Sequence, residues 1–348
     1  MSQGFGRIEK RRRQLEARKD KLQELNEMVP WSLLRQVLDQ LPQPERKSNA
    51  GRNAIDVMVL FRLLILKHLY NLSNEEVEYQ AHDRASFRRF LGLPGEAEIP
   101  DATTLDRFEQ RLRKANLIDE LFEQFACFLH QAGYEAKGGQ IVDATLIPVP
   151  IQRNSRAENQ QIKQGEVPQA WREQPHKLSQ KDRDARWTKK NGRSHFGYKN
   201  HINIDAKHGF IRRYHITAAS VHDSQALGAV LDPDNGDDEV WADSAYRNER
   251  VEVGLEALGY KSQIHQRAYR NRPLTEEQTA SNRNKSKTRA KVEHVFGAWV
   301  MTMGGKLARS VGLARVQAQL GFKNLVYNLK RYVFWQKKTG SQSQVQCV

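Results

Sequence analysis

The strongest constraint on the fold is a change of hydrophobic period at Gly138-Gly139. Before it, apolar residues recur every three or four positions: Leu33, Leu34, Val37, Leu38 and Leu41, then Ile55, Met58, Val59, Leu63 and Leu66, then Leu105, Phe108, Leu112 and Leu117. That spacing lines one face of a helix. Pro42 and Pro44 end the first run, Ser73 stands ahead of Glu75 and Glu76 as a helix start, and Asp101 is placed to cap another helix. After the two glycines the pattern alternates and fills with β-branched residues. The stretches 140–147, 198–205 and 210–217 read as strands, the last two as a hairpin. Helix at 222–231, strand at 239–243, helix at 249–258, strand at 261–265 and helix at 286–303 follow. The expected fold is therefore α/β, a mixed-sheet domain preceded by a separate all-helical domain. The expected boundaries are a basic helical lead-in at 1–30, a helical domain at 31–132, a sheet domain at 138–336 and a polar tail at 337–348. Residues 151–196, rich in Gln, Arg and Lys with little period, read as a basic surface insert.

Charge narrows the partner. Lys plus Arg is 56 against 41 Asp plus Glu, a net charge of +15. After Glu293 there is no Asp or Glu, and eight cations: Lys306, Arg309, Arg315, Lys323, Lys330, Arg331, Lys337 and Lys338. Two further clusters lie at 7–21 and 282–291. The apolar stretch from Ile55 to Leu69 is broken by Arg62 and Lys67 and is shorter than the ~20 residues of a membrane span. No apolar run follows the basic N-terminus, so no signal peptide is expected. Cys127 and Cys347 suit neither a disulfide framework nor a zinc site. A cytoplasmic protein with a nucleic-acid partner is expected. Arg84, Arg88, Arg89, Arg107, Arg111 and Arg113 suit either a helix-turn-helix-like DNA reader or the outer face of a packing or dimerisation domain.

Three acids carry the chemistry. Asp143 sits in the apolar strand Ile141-Val142-Asp143-Ala144-Thr145-Leu146-Ile147, where a carboxylate is expensive to bury unless paired or bound to metal. Asp243 ends the strand Val240-Trp241-Ala242-Asp243, at the strand edge where α/β sheets bind ligands. Glu293 falls at the edge of a helical stripe made by Val292, Val295, Phe296, Trp299, Val300 and Met303. Together they are able to hold two divalent metals for phosphodiester chemistry. Singly, Asp243 is also a fit helix cap, and Glu293 a fit i,i+4 partner for Arg289. His222-Asp223 is too short a signal for a metal-dependent phosphohydrolase, Asp205 suits the hairpin turn, and no GxxxxGK[ST] phosphate loop occurs.

Four ordered blocks carry a family resemblance. They are Ile141 to Ile147, Phe196-Gly197-Tyr198-Lys199-Asn200-His201-Ile202, Ala242-Asp243-Ser244-Ala245-Tyr246, and Arg289-Ala290-Lys291-Val292-Glu293-His294-Val295-Phe296. They resemble the bacterial insertion-sequence-five family of DDE transposases, as does the N-terminal Ile99-Pro100-Asp101-Ala102-Thr103-Thr104. The resemblance implies an RNase H-like catalytic domain and Mg²⁺-dependent cleavage at the inverted-repeat ends of a mobile element, with Mn²⁺ as substitute. It implies joining of the freed 3′-hydroxyl to target DNA, duplex DNA as partner, a homodimer or larger synaptic complex, and a nucleoid-associated place in the bacterial cytoplasm. By matching position Asp143, Asp243 and Glu293 are the metal-binding catalytic triad, and Arg289 is the arginine of the family's Tyr-Arg-Glu-Lys signature. The tyrosine position is Ser286 and the lysine position is Val300, so Lys291 and Lys306 become candidates for that lysine's phosphate contact. Lys199, Lys323, Lys330 and Arg331 complete the expected DNA contacts. Two other readings fit the same features: a transposase-derived DNA-binding regulator without catalysis, and an RNase H-like nuclease that cuts without joining.

Overall fold

A computed structural model describes residues 20–42, 55–94, 97–269 and 271–345. Most of the basic lead-in, Pro44 and Cys347 lie outside the described residues. The chain divides into two compact units, Met1–Lys67, Leu72–Arg111 and Leu329–Val348 forming one, His68–Asn71 and Leu112–Asn328 the other.

The first unit is helical. It contains α1 (Lys21–Met28), α2 (Trp31–Leu38), most of α3 (Val57–Tyr70), α4 (Asn74–Asp83), α5 (Ala85–Leu91) and most of α6 (Ala102–Lys114). The expected caps are present. Ser73 Oγ accepts from Glu76 N at 3.1 Å, and Asp101 Oδ1 accepts from Thr104 N at 2.6 Å. The apolar faces close on one another through buried Leu34, Leu38, Phe61, Leu64, Phe87, Phe90, Leu105 and Phe108. The two cations that interrupt the apolar run are both accommodated. Arg62 lies over the Trp31 ring at 5.0 Å, and Lys67 pairs with Glu109 at 2.6 Å. Of the arginines assigned to outer faces, Arg88 donates to the carbonyls of Pro94 and Ala97 and Arg111 to that of Pro42, so these two stiffen the unit's own turns.

The second unit is built on a six-stranded sheet. It opens with α7 (Leu117–Gln131), then β1 (Gln140–Pro148), the short helices α8 (Arg156–Lys163), α9 (Gln169–Arg172) and α10 (Pro175–Ser179), then β2 (Arg186–Lys190), β3 (Arg193–Asp205) and β4 (Ile211–Ala218). Then come α11 (Asp223–Val230), β5 (Glu239–Trp241), α12 (Glu249–Ala257), β6 (Lys261–Ser262), α13 (Glu276–Thr302) and α14 (Leu313–Val345), the last shared between the units at Asn328. β1, β3 and β4 are antiparallel neighbours, and β5 and β6 continue from β1 in parallel. This is the mixed sheet and strand order expected of an RNase H-like domain.

Both glycines at the period change have left-handed backbone, with φ 79° at Gly138 and 76° at Gly139. A Cβ on Gly139 would run into the Trp241 ring and the Glu239 carbonyl of β5, whereas one on Gly138 comes no closer than 3.3 Å to anything, at Lys207 N. Gly139 thus lets β1 enter the sheet tight against β5. At the same end of β1, opposite Gln140, Asp205 is fully buried and closes the β3–β4 turn by accepting from His208 N, Phe210 N and Arg212 Nε. Burial opposes its charge, but the His208 hydrogen bonds and the Arg212 guanidinium hold its carboxyl below the usual range.

The insert departs from expectation. Residues 151–196 fold onto the domain as three short helices and a sixth strand, β2, paired with the start of β3. Trp171 is fully buried, with its Nε1 donating to Glu158 Oε1 at 2.7 Å. Buried Asp182 accepts from the Tyr198 hydroxyl at 2.6 Å and from Ala185 N at 2.9 Å. Elements of four to eight residues are too short to show a period, and a single tryptophan supplies much of the anchoring, so the segment's composition resembles a loop.

These glycines yield a paired test. Gly138→Ala carries chiefly the left-handed backbone penalty, about 1–2 kcal/mol. Gly139→Ala adds the collision with β5 and should cost clearly more, about 3 kcal/mol or above. Urea unfolding of the two variants measures the difference; equal losses would mean that β1 does not need the close approach.

Candidate active site

β1 alternates its side chains across the sheet. Val142 points into a core with Leu227, Val230, Val240, Tyr246, Leu255 and Ile264. Asp143 therefore faces the other side, toward α13. It is only 8% exposed, a carboxylate in the middle of an apolar strand. Its Oδ1 accepts from Ala144 N at 2.7 Å, and its Oδ2 accepts from Arg289 Nη1 at 2.8 Å.

Asp243 reaches the same place through the parallel pairing. Gln140 lies opposite Val240 and Ile141 opposite Trp241. Carried two residues on, that register sets Asp243 level with Asp143. The pairing on the far side also runs past the short strands, since His265 N donates to Ala242 O at 3.1 Å. Asp243 Oδ1 accepts from Ala245 N at 2.8 Å, so it shapes the turn after β5. It does not cap α12, whose cap is Asn248.

Glu293 lies on α13, whose Val292, Val295, Phe296 and Trp299 are buried. Its Oε1 is 3.7 Å from the same Arg289 Nη1, and its side chain is 60% exposed. Arg289 thus spans two acids at once, and the i,i+4 pair anticipated for Glu293 coexists with an Arg289–Asp143 bond. Val300, counted with the apolar stripe, is in fact 52% exposed. It stands two turns beyond Glu293, on the edge of the helix rather than its buried face.

The acids feel one another. Burial raises the Asp143 pKa to about 6 and the charges of Asp243 and Glu293 push the same way, against the Ala144 N–H and the Arg289 guanidinium. Among the described residues no three His, Cys, Asp or Glu side chains are drawn together tightly enough to hold a metal ion. The donor chemistry nonetheless fits a hard divalent cation: three carboxylates, one of them destabilised as an anion by burial and, to a lesser degree, by the other two.

Lys306 is brought in from the segment after α13. Ala308 N donates to Pro148 O at 3.0 Å, which lays that segment along the end of β1. The Lys306 ammonium donates to Thr145 Oγ1 at 2.7 Å and lies over the Phe296 ring at 5.1 Å. Burial lowers its pKa, while the charges of Glu293 and Asp143 pull it back up. The other cations divide. Lys291 is exposed and donates to Ala206 O at 2.7 Å, at the opposite end of β1 from Thr145. Lys199 faces α11, paired with Asp223 at 2.7 Å and donating to Val221 O. Lys323 is a correction: it is 2% exposed, with its ammonium on the carbonyls of Met303 and Gly305, and is out of reach of DNA. Residues 318–329 are all buried, so α14 turns no exposed face to solvent there for Lys323 to occupy. Lys330 and Arg331 belong to the helical unit.

His265 was not singled out from sequence. It ends the β6 segment beside the site, with Nε2 3.4 Å from the Ser286 hydroxyl. Burial and the Arg289 and Lys285 charges lower its pKa, while Asp243 acts to raise it. Its signal was positional: it follows the last strand, at the same sheet edge as Asp243.

A carboxyl whose pKa is raised by folding stabilises the fold fully below its unfolded pKa near 4, and that contribution is lost as pH rises through about 6. Asp143→Asn, neutral throughout, is therefore expected to be more stable than wild type at pH 7.5 in EDTA, by up to roughly 3 kcal/mol. The gap should close between pH 6 and 4. Thermal melts of both proteins across that range check it; a less stable Asp143→Asn at pH 7.5 would show that the Arg289 pair outweighs the burial of charge.

Comparison with known families places this geometry. Residues 135–329 match the transposase DDE domain, and residues 9–111 match a transposase domain (DUF772). The fold is also similar to that of a piggyBac transposase solved as a synaptic complex with hairpin DNA, at TM-score 0.46 and 11% identity, over 93% of this chain and 76% of that one. The assignment does not lean on that likeness. Among the described residues no helix is long and apolar enough to cross a membrane. The DDE-domain match alone takes in more than half of the chain and contains Asp143, Asp243 and Glu293, and the chain accordingly belongs to the DDE transposases.

Proposed function

We propose that this transposase cuts DNA at the inverted-repeat ends of a mobile element and joins the freed 3′-hydroxyl to target DNA. Asp143, Asp243 and Glu293 are the acids that would hold divalent metal, Mg²⁺ or Mn²⁺. The observation that carries the reading is Asp143, a carboxylate buried in the central strand with two further carboxylates close enough to oppose its ionisation. Divalent ions held there would lower the pKa of the attacking oxygen and stabilise the leaving one.

The chain's own residues supply the rest. Arg289 orients Asp143 through the 2.8 Å bond and compensates the acids' charge. Lys306, tethered by Thr145, presents a cation to a phosphate approaching the end of β1, a contact that Val300 is unable to make. Lys291 would meet the backbone farther along, and Lys330 and Arg331 from the helical unit. With a net charge of +15, binding to duplex DNA should release counterions and weaken steeply with salt. The helical N-terminal segment, 31–132, would recognise the repeats or pair two copies, so that both ends are handled in one complex.

The test uses purified protein and labelled duplexes carrying the gene's own flanking repeats, with and without Mg²⁺ or Mn²⁺. Wild type should give metal-dependent cuts at the repeat ends and joined products. Asp243→Asn should bind DNA but lose activity by more than the ten- to hundredfold typical of residues one step removed from a metal. Cutting without joining would favour the nuclease reading. Tight, salt-sensitive binding without cutting would favour the regulator.

A further inference from the structure

Two cations beside the acids meet at one carbonyl. Arg247 stands four residues after Asp243, in the turn that Tyr246 N and Arg247 N close on the carbonyls of Asp243 and Ser244. Lys285 stands on α13, one helical turn before Arg289. Arg247 Nη1 and Lys285 Nζ both donate to the Ile264 carbonyl, each at 3.2 Å. Ile264 is fully buried, and the bond from His265 N to Ala242 O sets its carbonyl beside the end of β5.

Like charges drawn to one oxygen repel, and a neutral carbonyl answers them only in part. Glu252 lies 3.5 Å from Arg247 and acts on Lys285 as well, so one carboxylate is shared between two cations. Burial lowers the Lys285 pKa, and the Arg247 charge adds to that effect. Residues 257–275, which lead into and out of β6, contain no acid, and Arg267 and Arg272 among them are exposed. That stretch is fastened to α13, since Asn282 accepts from Gln266 N at 2.8 Å and donates to Gln266 O at 3.1 Å. The β6 end of the site therefore holds a surplus of positive charge in a fixed place. Both side chains are partly exposed, and each has N–H groups left to offer an anion.

Position identifies the anion. β5 lies between β1 and β6 in the sheet. Lys306, on Thr145, marks the β1 side, and Asp143 and Asp243 fall between it and the pair on Ile264. Two strand spacings set these grips about 10 Å apart, roughly the rise of three nucleotides along one DNA strand.

We propose that Arg247 and Lys285 form a phosphate-holding pair, and that a DNA strand crosses the sheet from β1 to β6 with Lys306 on a phosphate at one side of the acids and this pair on a phosphate at the other. The proposal rests on the DNA-cutting reading above and assigns the direction in which the strand is laid. A planar guanidinium suits two oxygens of one phosphodiester, and the ammonium adds a point charge beside it. Holding the strand on both sides fixes the phosphate between them against the acids.

The test uses the full chain in EDTA and fluorescence anisotropy with duplexes ending in the gene's own repeat. Single neutral methylphosphonates replace, one at a time, the two phosphates on each side of the repeat's terminal phosphate. Wild type should lose about tenfold in affinity at one position on each side. Arg247→Gln and Lys285→Gln should each bind the unmodified duplex about tenfold more weakly, lower the salt slope by about one, and become indifferent to the methylphosphonate on one side only. Lys306→Gln should become indifferent to the one on the other side. Arg247→Lys should recover part of the affinity. A variant that is weaker on every duplex but keeps the wild-type pattern would overturn the phosphate-holding role, because damage to the fold does not single out one phosphate. Arg247 and Lys306 coupled to the same side would overturn the path from β1 to β6. Wild type that binds the unmodified duplex but ignores every methylphosphonate would overturn the pair alone; wild type that binds no duplex would overturn the DNA-cutting reading itself.

Discussion

The Arg289–Asp143 bond is the contact on which the rest of the site depends. It joins α13 to β1 across 146 residues of sequence, at 2.8 Å. A carboxylate in the centre of a sheet is unfavourable by itself, and two more nearby make it worse. One guanidinium answers both problems, because its fork reaches Asp143 while the same nitrogen stays within 3.7 Å of Glu293. The compensation is partial: Asp143 remains shifted toward its neutral form. A site left in that condition leaves charge for a cation to compensate, which is what the proposed metal-holding role of the three acids requires.

The sheet supplies the alignment that the arginine secures. Parallel pairing between β1 and β5 brings two aspartates, far apart in sequence, to the same height on adjacent strands. Gly139 allows that approach at one end of β1, and the segment around Ala308 closes along the other. The two aspartates therefore sit on the paired strands of the sheet, while Glu293 reaches them from α13 with its side chain 60% exposed.

Cations of one chemical type take different parts according to depth. Lys323 is buried under Trp299 and ends a helix; Lys199 is locked to Asp223 behind the sheet. Lys306 rests on a hydroxyl and a ring beside the acids, with burial making its charge easier to lose and the carboxylates making it harder. A basic composition predicts a polyanionic partner, but only depth and partner decide which lysines are available to it.

Much of the domain is legible in the residues alone. The change of period at Gly138-Gly139, the order of strands and helices, and the odd position of Asp143 in an apolar strand are local properties, set by side-chain alternation and by the cost of burying charge. Asp243 and Glu293 follow from the same reasoning at a strand end and a helix edge. What residues alone do not reveal depends on contacts between distant segments. The 151–196 insert looks like loop because its elements are too short to show a period, yet Trp171 and Asp182 fasten it to the domain and β2 extends the sheet. His265 enters the site because β6 continues its pairing to Ala242, and Lys306 enters it because Ala308 bonds to Pro148. Sequence by itself determined the fold class and singled out the three acids that we propose as the site, since both arise from pattern within a few residues. Tertiary structure decided which cations face those acids, since burial and pairing are properties of the folded chain as a whole.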